Sequence, residues 1–207
     1  MTNRFRLTLL LLLSCLNSIH AVAETGPSVP PGAKLATFAG GCFWCIEPPY
    51  DKLNGVLSTI SGYTGGHKRD PSYEEVSSGV TGHVEAVQIV YDPAQVSYEK
   101  LLDVYWQNTD PTRNDGQFCD AGDQYRPVIF YHDEEQRLLA QLSKDELEKL
   151  KKLPAPILTE IAPAAAFYAA ETYHQDYYAK NPVRYKLYRY GCGRDKRLDE
   201  LWGKGAR

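Results

Sequence analysis

Apolar and polar positions along this chain switch between a period of two and a period near 3.6. Residues 35–39 form a short β-run ending at Gly40-Gly41, and residues 56–63 and 84–91 are longer β-rich runs. Runs of this length and composition predict strands. Helices are predicted over 43–53, 72–78 and 97–107, the last opened by Ser97, with Lys100 at the spacing of a capped amide. A strand at 128–132, a charged helix over 133–152 with a solvated face, a strand at 157–161 and a tyrosine-rich helix over 171–179 follow. Asn181-Pro182 closes the last of these. Strands alternating with helices predict an α/β (α+β) domain in two layers. Residues 110–126 show no periodicity and predict a long loop. Loops of that length inside a compact domain are usually functional or disordered, and this one carries Cys119, Asp120, Gln124 and Tyr125.

The start of the first helix follows from its prolines. Pro48 and Pro49 lack an N–H and are tolerated in a first turn, which puts the start near Trp44 or Cys45 and Cys42 at the helix N-terminus.

The beginning of the chain reads differently. Arg4 and Arg6 precede an apolar run at residues 7–13, and Ala21-Val22-Ala23 supplies small residues for cleavage. These features predict a secretory signal over 1–23, followed by a Pro/Gly-rich linker over 24–34 and a catalytic domain over 35–207. Leu12-Leu13-Ser14-Cys15 offers lipid attachment as the alternative. The apolar run falls short of the ~20 residues a membrane span needs. The protein is therefore expected to be exported, periplasmic or secreted. Cleavage after Ala23 would remove two positive charges and no negative ones, moving the net charge from −3 to −5. No basic tract offers a nucleic-acid footprint. The 15 tyrosines against 6 phenylalanines suit polar-lined pockets, although surface decoration is expected for most of them.

Four cysteines, Cys42, Cys45, Cys119 and Cys192, would remain in the mature chain. Two structural disulfides would be ordinary in an oxidising compartment, but a domain of this size hardly needs them, so some are expected to be chemical. The strongest signal is Gly40-Gly41-Cys42-Phe43-Trp44-Cys45. A cysteine after a sharp Gly-Gly turn, at a helix N-terminus, is expected to have its thiol pKa lowered by the helix dipole and free amides. Phe43 and Trp44 would add flat apolar walls.

This hexapeptide resembles the active-site motif of the A-type peptide methionine sulfoxide reductases. Gly62-Tyr63-Thr64-Gly65-Gly66, Gly82-His83-Val84-Glu85, 120–126 and 170–175 resemble that family's blocks in the family's order, over about residues 35–202. The resemblance implies a single domain on a ferredoxin-like core, with an active-site loop and an irregular C-terminal tail. It implies that Cys42 attacks the sulfoxide sulfur and Glu85 protonates the departing oxygen. Tyr63 and Tyr125 would donate hydrogen bonds to that oxygen, Asp120 would orient the cluster, and Phe43 and Trp44 would hold the S-methyl group. Burial of Glu85 would keep it neutral, as protonating the oxygen requires. Cys192, between two glycines, would resolve the Cys42 sulfenic acid as a disulfide. The sequence departs from the commonest family pattern in having Cys45 and Cys119. Cys45 is thus an alternative resolving thiol, and either it or Cys119 could pass the disulfide onward. Cys119 could also pair with Cys45 or simply be buried. The implied substrates are the S epimer of methionine sulfoxide in oxidised proteins and, as part of the same expectation, the free amino acid. The implied reductant is a thioredoxin-like protein, with no cofactor or metal, and the chain is expected to be a monomer. His174 is expected to be structural, and His67 and His132 exposed. A thioredoxin-like disulfide oxidoreductase and a structural zinc site on the four cysteines are the competing readings.

Overall fold

The computed structural model describes residues 28–205. The expected signal at 1–23 and the first part of the expected linker lie outside the described residues. In chain order the elements are β1 (Lys34–Ala39), α1 (Phe43–Asp51), β2 (Val56–Thr64), α2 (Tyr73–Ser77), β3 (Val84–Tyr91), α3 (Tyr98–Gln107), β4 (Gly116–Gln117), β5 (Asp120–Ala121), β6 (Val128–Tyr131), α4 (Glu134–Leu150), β7 (Glu160–Pro163), β8 (Phe167–Ala169), α5 (Tyr177–Lys180), α6 (Pro182–Gly191) and α7 (Arg194–Trp202).

Six strands form one sheet in the order β7-β6-β1-β3-β2-β8. All neighbours are antiparallel except β6 and β7, whose parallel pairing requires the crossover that α4 provides. The central order β6-β1-β3-β2, with α1 and α3 as connections, is the expected ferredoxin-like core. Alternation sorts the side chains. Ala36 and Phe38 of β1, Val87, Ile89 and Tyr91 of β3 and Ile129 of β6 join the main core with Ile46, Tyr50, Leu101, Leu102 and Tyr105. The opposite residues, Ala39, Val84, Ala86, Val128 and Phe130, make a smaller cluster closed by Ala162, Ala164 and Phe167. Phe38 is fully buried, with ring centroids of Tyr50, Tyr98 and Tyr105 at 5.6, 6.0 and 5.2 Å. Its truncation to alanine would cost about 3–5 kcal/mol.

Ser97 caps α3 by accepting the Lys100 amide, as its spacing predicts. Ser72 does the same for α2 in a reciprocal box with Glu75. Other expectations need correction. Pro48 and Pro49 stand in the second turn of α1, not the first, although the helix does start where expected. The short helix is held through a buried face that includes Phe43, Ile46 and Tyr50, so tertiary packing offsets the two missing N–H groups. The predicted 171–179 helix is mostly turn, and only Tyr177–Lys180 is helical. The predicted 157–161 strand begins instead at Glu160, and β8 was not expected. The C-terminal tail is not irregular: α6 and α7 fill it, α6 having Pro182 at its first position. The long loop contains the hairpin β4–β5. The tyrosines do not mainly decorate the surface: Tyr50, Tyr63, Tyr91, Tyr98, Tyr105 and Tyr177 are buried, and among the described residues only Tyr173 and Tyr190 are exposed. No helix among the described residues is long and apolar enough to cross a membrane.

Candidate active site

The site lies where the β1–α1 turn meets the end of β3. Gly40 and Gly41 make that turn possible. A Cβ on Gly40 would come within 2.5 Å of Thr109 Cγ2, and Gly41 has φ +86° with Gln117 Cβ 2.5 Å from its would-be side chain. Cys42 is the N-cap of α1, its carbonyl accepting the Cys45 amide. The β2–β3 register sets Tyr63 opposite Glu85, two residues along from Val87 and therefore on the helix side of the sheet. Glu85 thereby reaches the helix start, where its Oε2 accepts the Phe43 amide at 3.0 Å.

Electrostatics follow from burial. Glu85 is 2% exposed, and desolvation pushes its carboxyl from 4.5 to about 8, against the opposing Phe43 N–H. At neutral pH it is chiefly the protonated acid. Cys42 is 6% exposed, and its thiol is raised well above its ordinary value, first by desolvation and then by the Glu85 and Cys45 charges. This corrects the expectation of a lowered pKa. A hydrogen bond from Tyr188 favours the thiolate, but it and the helix N-terminus are outweighed once water is excluded.

Three further hydroxyls belong to the neighbourhood. Tyr73 and Tyr125 both feel Glu85, Cys42 and Asp120, and burial raises both, Tyr73 to about 12. The one Tyr188 hydroxyl proton serves either Cys42 or Asp120 Oδ2, the latter at 2.6 Å. Asp120 is itself raised by burial, opposed by that bond and by Arg194. Tyr63 is differently engaged: fully buried, it donates to Glu171 Oε2 at 2.8 Å. Sequence reasoning therefore overlooked Tyr73 and Tyr188. Tyr73 sits in Pro71-Ser72-Tyr73, whose only local signal is the helix cap, and Tyr188 lies in the tail expected to be irregular.

The aromatic wall is built and pinned. Trp44 stacks on Tyr177 at 3.6 Å, meets Tyr188 edge-on at 5.7 Å and donates Nε1–H to His174 Nδ1 at 3.0 Å. His174 is buried, and burial lowers its pKa, so the neutral ring accepts. Its part here is to hold Trp44, in keeping with the structural reading; His67 and His132 are exposed as expected. Phe43 packs 5.0 Å from His174 and 6.0 Å from Tyr63.

Cys42 and Cys45 are buried free thiols, while Cys119 and Cys192 form a disulfide. Cys119 is thus neither buried nor paired with Cys45, and the Cys42–Cys192 link is not the one present. The four cysteines do not assemble as a zinc set here, because two of them are spent on each other. Arg194, buried in α7, donates to the carbonyls of Gly40 and Asn108, both at 2.9 Å, and lies 4.2 Å from the Phe118 ring centroid. It ties the C-terminal helices to the turn before Cys42.

A family profile described as peptide methionine sulfoxide reductase matches residues 34–206. A protein of Listeria monocytogenes named peptide methionine sulfoxide reductase MsrA is 56% identical over 167 residues, covering 81% of this chain and 94% of that protein. A Bacillus licheniformis protein of the same name is 54% identical over 171 residues, covering 83% and 94%. Among solved structures, reduced Mxr1 of Saccharomyces cerevisiae matches with a TM-score of 0.69 and 35% identity, covering 75% of this chain and 90% of that one. Methionine sulfoxide reductase A of Corynebacterium diphtheriae matches with a TM-score of 0.67 and 30% identity, covering 77% and 88%. These matches set aside the disulfide-oxidoreductase and zinc-site readings. A buried thiol at a helix N-terminus, a neutral carboxylic acid beside it and an adjoining disulfide fit the same chemistry, and the chain belongs to the peptide methionine sulfoxide reductase family, whose members reduce methionine sulfoxide.

Proposed function

We propose that Cys42 is the nucleophile and Glu85 the acid of this reduction, and that the S epimer of methionine sulfoxide is the substrate. The observation that carries the assignment is the neutral Glu85 carboxyl beside Cys42. Its Oε2 is occupied by the Phe43 amide, which leaves Oε1 to carry the proton. Sulfoxide oxygen is a poor leaving group unless protonated. Glu85 gives its proton to that oxygen as Cys42 Sγ attacks sulfur, and the thiol proton returns to the carboxylate. The hydroxyl then passes from the substrate sulfur to Cys42 Sγ as the transient sulfur–sulfur bond breaks, so the thioether leaves and Cys42 is left as a sulfenic acid. Tyr73 and Tyr125 donate to the oxygen in this reading. Tyr63, committed to Glu171, supports the wall behind Phe43 instead. The S-methyl group lies against Phe43 and Trp44. Asp120 orients Tyr188, which touches Cys42.

Cys192 then condenses with the sulfenic acid, giving a disulfide and water. A thioredoxin-like dithiol protein restores the thiols, and no cofactor is needed for a two-electron exchange between sulfurs. Mxr1 is known in complex with Trx2, and Cys119, an exposed residue, suits such a donor. Action as a monomer is part of the same reading. Export, to the periplasm or beyond, is supported by Arg4, Arg6, the apolar run at 7–13 and Ala21-Val22-Ala23; cell fractionation would test it. Oxidised proteins, and free methionine sulfoxide as well, would be reduced. Dithiothreitol-driven assays on separate S and R epimers test the substrate assignment. Turnover of S alone is expected, and equal turnover of R would refute it.

A further inference from the structure

Capture of the Cys42 sulfenic acid by Cys192 would leave a Cys42–Cys192 bond, yet the disulfide present joins Cys192 to Cys119 and leaves Cys42 free. We propose that Cys119 is a second resolving thiol, which takes Cys192 from Cys42 and then offers its own sulfur to the external dithiol. This rests on the reading of Cys42 as nucleophile and Cys192 as its first partner.

The geometry supports each part. The disulfide adjoins the reacting centre: Tyr188 contacts Cys42 and Asp120, and the Asp120 carboxylate lies 3.8 Å from Cys119 Sγ and 3.9 Å from Cys192 Sγ. Cys119 is on a pinned segment. Gln117 bonds both the N–H and the carbonyl of Asp110, at 2.9 and 2.8 Å, and Arg113 holds the Phe118 carbonyl at 3.0 Å. Cys192 sits at the glycine-flanked joint between α6 and α7, ahead of the Arg194 anchor. It ends α6, which buries no residue, and nothing lies within 4 Å of the would-be side chains of Gly191 and Gly193. Cys192 is therefore the sulfur that travels, and Cys119 the one that waits. Exposure then orders the relay: Cys42 is 6% exposed, Cys192 half-buried and Cys119 exposed.

The exchange balances. The Cys119 thiolate attacks Cys192 Sγ of the Cys42–Cys192 disulfide; the Cys119–Cys192 bond forms, the old bond breaks and Cys42 leaves as a thiol after taking up a proton. The Cys119 thiolate's electron pair makes the new bond and the pair of the old bond leaves with Cys42, so the disulfide moves without any other oxidant or reductant. The external dithiol attacks Cys119 Sγ, and Cys192 departs as a thiolate. The Cys119 amide, 3.3 Å from Cys192 Sγ, stabilises that leaving sulfur. The second thiol of the donor then frees Cys119.

A burst without reductant tests the relay. Fully reduced protein, freed of small thiols, is mixed with excess methionine-(S)-sulfoxide. Wild type should release about two methionines per chain, because Cys42 is regenerated once inside the molecule. Cys119→Ser should release about one and accumulate Cys42–Cys192 peptides. Two methionines from Cys119→Ser, or wild type that stops at one with Cys119 still open to alkylation, would overturn the relay while leaving Cys42 in place. No methionine from either chain would overturn the underlying reading as well. A thioredoxin whose second active-site cysteine is serine should be trapped on a Cys119 peptide of the oxidised wild type, and trapping on Cys192 would refute attack at Cys119.

Discussion

Replacing Glu85 with glutamine keeps the side chain's shape and an oxygen for the Phe43 amide, and removes the transferable proton. Burial holds the Glu85 carboxyl at about 8, against an ordinary 4.5. About nine-tenths of it is then protonated at pH 7 and about one-tenth at pH 9. The wild-type rate of methionine release in a single turnover should therefore fall about ten-fold between those values. Glu85→Gln should be slower by about 10²-fold at pH 7, the usual scale of general acid catalysis, and should not show that fall. The same displacement governs stability. The unfolded chain loses the Glu85 proton first, so the neutral group's contribution is intact below about pH 4.5. It then diminishes by about 1.4 kcal/mol per pH unit until about pH 8, about 5 kcal/mol in all. Glu85→Gln should lack that slope in denaturant titrations run across the same range. Rapid-quench methionine release and unfolding curves at several pH values read both effects. A variant that reacts at the wild-type rate, or that keeps the ten-fold fall, would refute the role of Glu85.

Tyr73→Phe and Tyr125→Phe should each slow the sulfoxide step by about ten-fold or more, the worth of one hydrogen bond to a charged group. Tyr63→Phe loses only a bond to Glu171 and should slow the step less than either; a larger loss from Tyr63→Phe in single-turnover rates would reverse the assignment. Arg194→Ala removes two bonds from a buried guanidinium and should destabilise the fold by about 3 kcal/mol or more, measured by denaturant midpoint. A change below about 0.5 kcal/mol would mean that Arg194 does not fasten the C-terminal helices.

The parts of the fold legible in the sequence were those fixed by local pattern. β3 was visible because Val84, Val87, Ile89 and Val90 make a β-branched run, and α3 because Ser97 caps it. Cys42 was legible for the same reason: two glycines, one with positive φ, precede a helix that starts one residue later. What failed depends on distant partners. The thiol was expected to be acidic from its helix terminus, but its pKa is set mainly by burial, to which distant residues contribute. The family resemblance implies a substrate donor at Tyr63, yet its hydroxyl is claimed by Glu171, 108 residues away. The turns at 172–176 mimic a helix by composition alone. β8 is three residues long and exists because β2 offers it an edge.

The central claim, that Cys42 takes oxygen from methionine sulfoxide, is tested most directly in the Cys192→Ser background. Reduced protein is given methionine-(S)-sulfoxide without any reductant, and released methionine and the modified cysteine are measured together. Cys192→Ser should release about one methionine per chain and carry a sulfenic acid on Cys42, found by labelling and peptide mass. Adding Cys42→Ser should abolish both. Methionine released by the doubly substituted protein, or oxygen found on Cys45 or Cys119 with Cys42 untouched, would contradict the account.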